Sequence, residues 1–210
     1  MFSFEDIKND LTERQKGLFN NGVPNYLRHY TQLPDLLKIL ESGLLKLGDS
    51  NNYNDQNDKS WANAYKSKAK TGLYSLCCTW ETELIHHWKI YADGKYGCCL
   101  KLDGHKLIES VNYNEDIKHG LVCYKKDIPI DDIPDSVEKE LLPFTKSWAY
   151  RCEYEYRFIC AYESYINLDK DLIKQVSISP YMNRLTFSYF GDIIKDYKVD
   201  VSFKGLEKEN

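Results

Sequence analysis

The stretch Tyr26-Leu27-Arg28-His29-Tyr30-Thr31, followed by an apolar-periodic run ending at Gly43 and by Leu44 to Leu47, decides how the chain is read. It predicts a strand, a helix and a second strand. Successive side chains of a strand point to opposite faces, so His29 and Thr31 share one. An imidazole and a hydroxyl side by side in a strand need hydrogen-bond partners if they are buried. A ligand is one such partner and the neighbouring backbone is the other. Pro34 suits a first helical turn. Leu36, Leu37, Ile39 and Leu40 supply the apolar stripe, and Gly43 is a left-handed stop.

Working outward, Ser3 to Leu18 predicts an amphipathic helix and Asn20-Asn21-Gly22 a turn. Asp49 to Ser60 is rich in Asn and Asp and reads as a loop, with a short helix from Trp61 to Lys70. Leu73 to Thr79 and Tyr96 to Leu102 read as strands around a helix from Thr82 to Ala92. Gly120 to Lys126 looks extended, Asp135 to Trp148 helical after Pro134, and Glu153 to Tyr162 strongly strand-like. Val176 to Ser179, a helix around Arg184 to Phe190, and Lys198 to Phe203 close the chain. Strands and helices are interspersed without a beta-alpha-beta rhythm, which predicts a mixed α+β fold in one domain spanning residues 1–210.

The 210 residues are enough for a core without disulfide staples, and 42% apolar with 14% aromatic content describes a folded chain. A net charge of −4 leaves no global footprint for nucleic acid. Lys66, Lys68 and Lys70 are a local basic patch or a solvated helix face. Met1 to Asn9 lacks the features of a secretory signal, and no window approaches the roughly 18 apolar residues that span a bilayer. The expectation is a cytoplasmic protein with no membrane partner. Seven cysteines include the adjacent pairs Cys77-Cys78 and Cys98-Cys99, which read as reduced core residues. His86-His87 has no acidic company, so no metal is expected.

Three further places combine polar and aromatic groups. Tyr53-Asn54-Asp55 lies in the polar segment, where Asn and Asp side chains fold onto backbone or face a ligand. Trp88-x-x-Tyr91-Ala92 puts an indole and a phenol on one helix face, as core or as a wall for a planar ligand. In Glu153-Tyr154-Glu155-Tyr156-Arg157, Glu153, Glu155 and Arg157 alternate onto one strand face. Carboxylates that close raise one another's pKa unless a cation intervenes. No phosphate loop, Rossmann glycine fingerprint or nucleophile elbow is present.

Taken in order, His29-Tyr30-Thr31, Tyr53-Asn54-Asp55, Ser75 to Thr79, Trp88 to Ala92 and Glu155 to Arg157 resemble the pattern of a bacterial family known as a domain of unknown function. Two departures are Tyr53 and Gln56, where that family often has Phe-Asn-Asp-Pro, and Ser179-Pro180, where it has Gly-Pro. The opening unit also resembles ADP-ribosyltransferases of the His-Tyr-Glu type, including DarT-like toxins and the RNA 2′-phosphotransferases. That resemblance implies a split, strongly bent β-sheet flanked by helices, gripping NAD as substrate in a cleft. It implies that His29 hydrogen-bonds the nicotinamide ribose with Thr31 in support, and that Glu155 is the catalytic carboxylate with Glu153 as runner-up. Tyr91 or Tyr53 would stack on nicotinamide, and Tyr30, Asn54, Trp88 and Arg157 would complete the NAD-binding set.

The chemistry suits these residue types. Breaking the ribose–nicotinamide bond develops an oxocarbenium-like cation, which a nearby carboxylate stabilises. The expected function is an ADP-ribosyltransferase acting as a toxin or phage-defence effector, with a nucleic acid or protein as acceptor and an antitoxin as a further partner. The alternatives are a non-catalytic nucleotide or nucleic-acid binding module and an NAD glycohydrolase.

Overall fold

In the computed structural model, which describes residues 3–53, 55–82, 85–92, 94–126 and 138–203, the opening unit folds as its sequence predicts. Strand β1 (Tyr26–Gln32) leads into helix α1 (Leu33–Ser42), with Pro34 in its first turn. Gly43 takes φ of 67° and its N–H closes the last turn on the Ile39 carbonyl at 2.8 Å. A side chain at that φ is disfavoured, which is why the stop is a glycine. Leu44–Lys46 then pairs with Tyr165–Asn167 in a separate two-stranded ribbon.

The main sheet contains eight strands among the described residues. Besides β1 it holds β2 (Tyr74–Thr79), β3 (Gly97–Asp103), β4 (Lys118–Leu121), β5 (Glu155–Cys160), β6 (Ile173–Ile178) and β7 (Val201–Phe203). Their spatial order is β7-β6-β3-β1-β2-β5-β4, with Gly48–Asp49 added beside β2. Only β6 and β7 run parallel; the other neighbours are antiparallel. β1 pairs with β3 along its whole length but with β2 only at Arg28 opposite Thr79. The sheet is bent, and this single-pair seam is its weakest join. The fold is mixed α+β.

Register assigns every side chain to a face. Leu27, His29 and Thr31 of β1 share theirs with Leu100 and Cys98 of β3. On β2 and β5 that face carries Leu76, Cys78, Tyr156 and Phe158. Helices α1, α4 (Gly104–Asn112) and α5 (Arg184–Lys195) cover it and complete the large hydrophobic core. The opposite face carries Arg28 and Tyr30, Ser75, Cys77 and Thr79, Glu155, Arg157 and Ile159. Helix α2 (Gln56–Ala69) and helix α3 (Ile85–Ile90) lie over it with only two small apolar clusters, one around Tyr30 and Trp88, the other around Ala62, Leu73, Phe144 and Ile159. The first face is the core. The second holds the charges.

Several elements differ from expectation. The N-terminal helix is broken into short turns, Phe4–Ile7, Lys8–Asp10 and Glu13–Lys16, because Thr12 and Gln15 form a capping box that starts a new turn. The predicted loop at 49–60 is mostly helical: Asp55 accepts from the N–H groups of Asn57 and Asp58 and begins α2 at Gln56. The run predicted helical at 135–148 is a 3₁₀ segment, Lys139–Phe144, then a short strand, Thr145–Ser147, and its first three residues lie outside the described set. The strand expected from Glu153 begins at Glu155, because Tyr154 adopts φ of 50° and ends a 3₁₀ turn, Trp148–Glu153. Among the described residues no helix is long and apolar enough to cross a membrane.

Candidate functional site

Five ionisable side chains meet on the charged face, all drawn from water. Glu155 and Arg157 share it because they alternate along β5. Asp58 arrives from the first turn of α2, Lys146 from Thr145–Ser147, and Glu153 from the end of the 3₁₀ turn. The Arg157 guanidinium forks onto Glu155, with Nε at 2.5 Å from Oε1 and Nη2 at 2.9 Å from Oε2. It also donates to Asp58 Oδ1 at 2.6 Å and to the Pro143 carbonyl at 2.9 Å. Lys146 Nζ sits 2.8 Å from Asp58 Oδ2, 2.5 Å from Glu153 Oε2 and 3.7 Å from Glu155 Oε2.

Three carboxylates face two cations, so one negative charge is in excess. The environments separate the two glutamates. Burial opposes the charge of Glu155, yet Arg157 and Lys146 outweigh it and bring its pKa to about 2. Burial and the Glu155 charge raise the pKa of Glu153 despite Lys146. Lys146 and Arg157 are likewise opposed by burial, and the carboxylates hold both firmly protonated. Paired carboxyls pushed in opposite directions are the arrangement by which acid and base roles are divided.

Aromatic groups frame the cluster. The Tyr91 phenol faces the Glu153 charge, and burial together with that charge raises its pKa. Tyr53 meets Ser75 through its hydroxyl, with Arg157 and Asp58 close enough to act on its titration. The Tyr124 hydroxyl accepts from the Glu155 N–H at 3.0 Å. Trp88 turns inward, edge-on to Tyr30 at 5.2 Å, so Trp88 and Tyr91 do not form one flat wall. Helical spacing brought them to one side, but Trp88 packs in the Tyr30 cluster while Tyr91 reaches the carboxylate.

Of the residues singled out from sequence, Tyr30, Tyr53, Trp88, Tyr91, Glu153, Glu155 and Arg157 lie on this side of the sheet. His29 and Thr31 do not: the register sets them on the core face, behind Glu155. The expected convergence of His29 and Glu155 on one face is corrected accordingly. The imidazole instead fills the seam beside the lone β1–β2 pair, its Nδ1 3.0 Å from the Cys77 carbonyl. Burial lowers its pKa, so it is held neutral. Asn54 lies outside the described residues. Asp58 and Lys146 were not anticipated. Asp55 as an N-cap was the signal that could have placed Asp58 in a helix instead of the expected loop, but nothing in the sequence around Lys146 marks it.

No group of three or more His, Cys, Asp or Glu side chains that could hold a metal ion occurs among the described residues. The chain matches no protein-family model, and no curated protein matches it.

Proposed function

We propose that the chain cleaves the nicotinamide–ribose bond of NAD and passes ADP-ribose to an acceptor, working from the face that carries Glu153, Glu155, Arg157 and Tyr91. One observation carries the reading: two buried carboxylates share Lys146, and only one of them, Glu155, is also forked by Arg157, which favours its charged form. Glu155, locked on Arg157, is the permanent anion that stabilises positive charge developing at the ribose C1′. As the C–N bond breaks, its electron pair passes to the pyridinium nitrogen and nicotinamide leaves neutral. The acceptor nucleophile attacks C1′ and gives its proton to Glu153, the carboxylate oriented by Lys146. With both Glu155 oxygens held by Arg157, the runner-up of the sequence reading becomes the proton acceptor.

His29 acts here as a positioning residue. It fixes the Cys77 carbonyl in the seam, and the Cys77 thiol on the other face lies beside Glu155. An ADP-ribosyltransferase-like sheet, a single domain over residues 1–210, a cytoplasmic toxin or phage-defence role and a nucleic-acid or protein acceptor all belong to this proposal. Water as acceptor makes the same site an NAD glycohydrolase.

One observation favours a second reading, a nucleotide-binding module without turnover: both oxygens of Glu155 are spent on Arg157. Incubation with NAD and mass spectrometry for nicotinamide separates the two. Release that fails in Glu153→Gln supports the enzyme; NAD binding without release supports the module. Labelled NAD added to a cell lysate then tells transfer to protein, DNA or RNA from hydrolysis.

A further inference from the structure

Helix α3 presents His86-His87-Trp88 to the charged face, and the second histidine is unexplained by packing. His87 is 1% exposed, and neither of its ring nitrogens makes a hydrogen bond of proper geometry among the described residues, although the Cys152 carbonyl lies near enough to favour its protonated form. An orphaned buried polar group costs about 1–3 kcal/mol, so a side chain kept that way has another use. Its surroundings are aromatic. The Tyr30 ring lies at 5.3 Å and the Tyr91 ring at 5.8 Å, with His86 edge-on at 4.2 Å. Tyr91, 40% exposed, is the outer member of this stack, and its phenol lies within range of the Glu153 charge. A flat ligand entering beside Tyr91 therefore meets His87 one ring away from the carboxylate.

Burial and the neighbouring His86 lower the His87 pKa to about 4, which leaves a neutral imidazole at physiological pH. A neutral imidazole offers one N–H and one lone pair without charge. It does not repel a pyridinium, as an imidazolium would. The flanking rings favour a planar heteroaromatic guest, cationic or neutral.

We propose that His87 recognises the leaving ring: its N–H donates to the carboxamide oxygen of nicotinamide, with the ring lodged against Tyr30 and Tyr91. This rests on the NAD reading of the same face and names the residue that selects the carboxamide-bearing base. The two histidines exchange the roles expected of them: His29 braces the sheet, and His87 meets the ligand.

The test uses free nicotinamide as the probe, followed by intrinsic tryptophan fluorescence and by the His87 imidazole nitrogen resonances. Wild type, His87→Phe and His87→Gln are compared, with thermal melts and NAD kinetics alongside. Nicotinamide is expected to shift the His87 nitrogen signals. His87→Phe should melt at or above wild type, since it removes an unpartnered polar group, yet bind nicotinamide about tenfold more weakly, the worth of one buried hydrogen bond. Its KM for NAD should rise with kcat nearly kept, and His87→Gln, which still donates an N–H, should recover most of the affinity. Unshifted nitrogen signals, or equal affinity in wild type and His87→Phe, overturn the inference; the first outcome decides it even if that variant fails to fold. His87-dependent nicotinamide binding without NAD cleavage keeps the inference and rejects the enzymatic reading. Cleavage indifferent to His87→Phe does the reverse.

Discussion

Glu153 and Glu155 stand two positions apart and answer to different partners. Removing the charge of Glu155 takes the forked carboxylate from the buried Arg157 guanidinium, so Glu155→Gln should lose about 3–5 kcal/mol of unfolding free energy, measured by denaturant titration. Glu153→Gln relieves the excess negative charge and should melt close to wild type while nicotinamide release falls by about 10²–10³. Acid stability follows the same groups. Glu155 has its folded pKa depressed from 4.5 to about 2, so its contribution is fully present above 4.5 and is lost as pH falls towards 2. His87 is depressed from 6.5 to about 4, so its contribution is complete above 6.5 and disappears as pH falls through 4. Melts between pH 7 and 4 should therefore fall less steeply in His87→Phe than in wild type, and an identical slope would contradict the neutral buried imidazole. At this scale the Glu155-x-Arg157 alternation was legible because strand periodicity is local, whereas Glu153 reaches the cluster from a 3₁₀ turn that no alternation describes. Asp58 was not, because it meets Arg157 across 99 residues.

Elements place these groups through a few close approaches. Gly97 opens β3 beside the turn that follows α3, and a Cβ there would come within 2.4 Å of both the Cβ and the carbonyl oxygen of Ala92. Gly97→Ala should therefore lower the melting temperature and, by displacing the end of α3, weaken NAD cleavage. Gly48→Ala, whose added methyl meets only the Ser75 carbonyl at 3.7 Å, is the matched control. The α2 start is the other device. Losing the Asp55 cap in Asp55→Ala should cost about 1 kcal/mol and loosen Asp58 with it. This helix was read as a loop because its first turn is all polar, so no apolar period announced it. The cap chemistry of Asp55 outweighed composition. Helix α1 was legible end to end, since its stripe, its Pro34 and its Gly43 all agree.

At the scale of the molecule, the sheet has two faces with different tasks, and parity decides which residue serves which. His29 was drawn to the site by its motif, yet Arg28 opposite Thr79 and Thr79 opposite Glu155 count it onto the core side. Cross-strand register depends on pairings between distant segments, which alternation within one strand cannot reveal. The seven residues found on the charged face came from four motifs, and spacing within a motif said nothing of how the four converge. The account therefore expects His29→Ala to weaken folding through the β1–β2 seam while the folded fraction keeps measurable turnover. The most direct measurement is nicotinamide release from NAD by wild type and Glu153→Gln, side by side with their melts. The account predicts release by the wild type and a fall of about 10²–10³ in the variant at a nearly unchanged melting temperature. No release by the wild type with protein, DNA, RNA or water as acceptor, or equal release by both proteins, would contradict it.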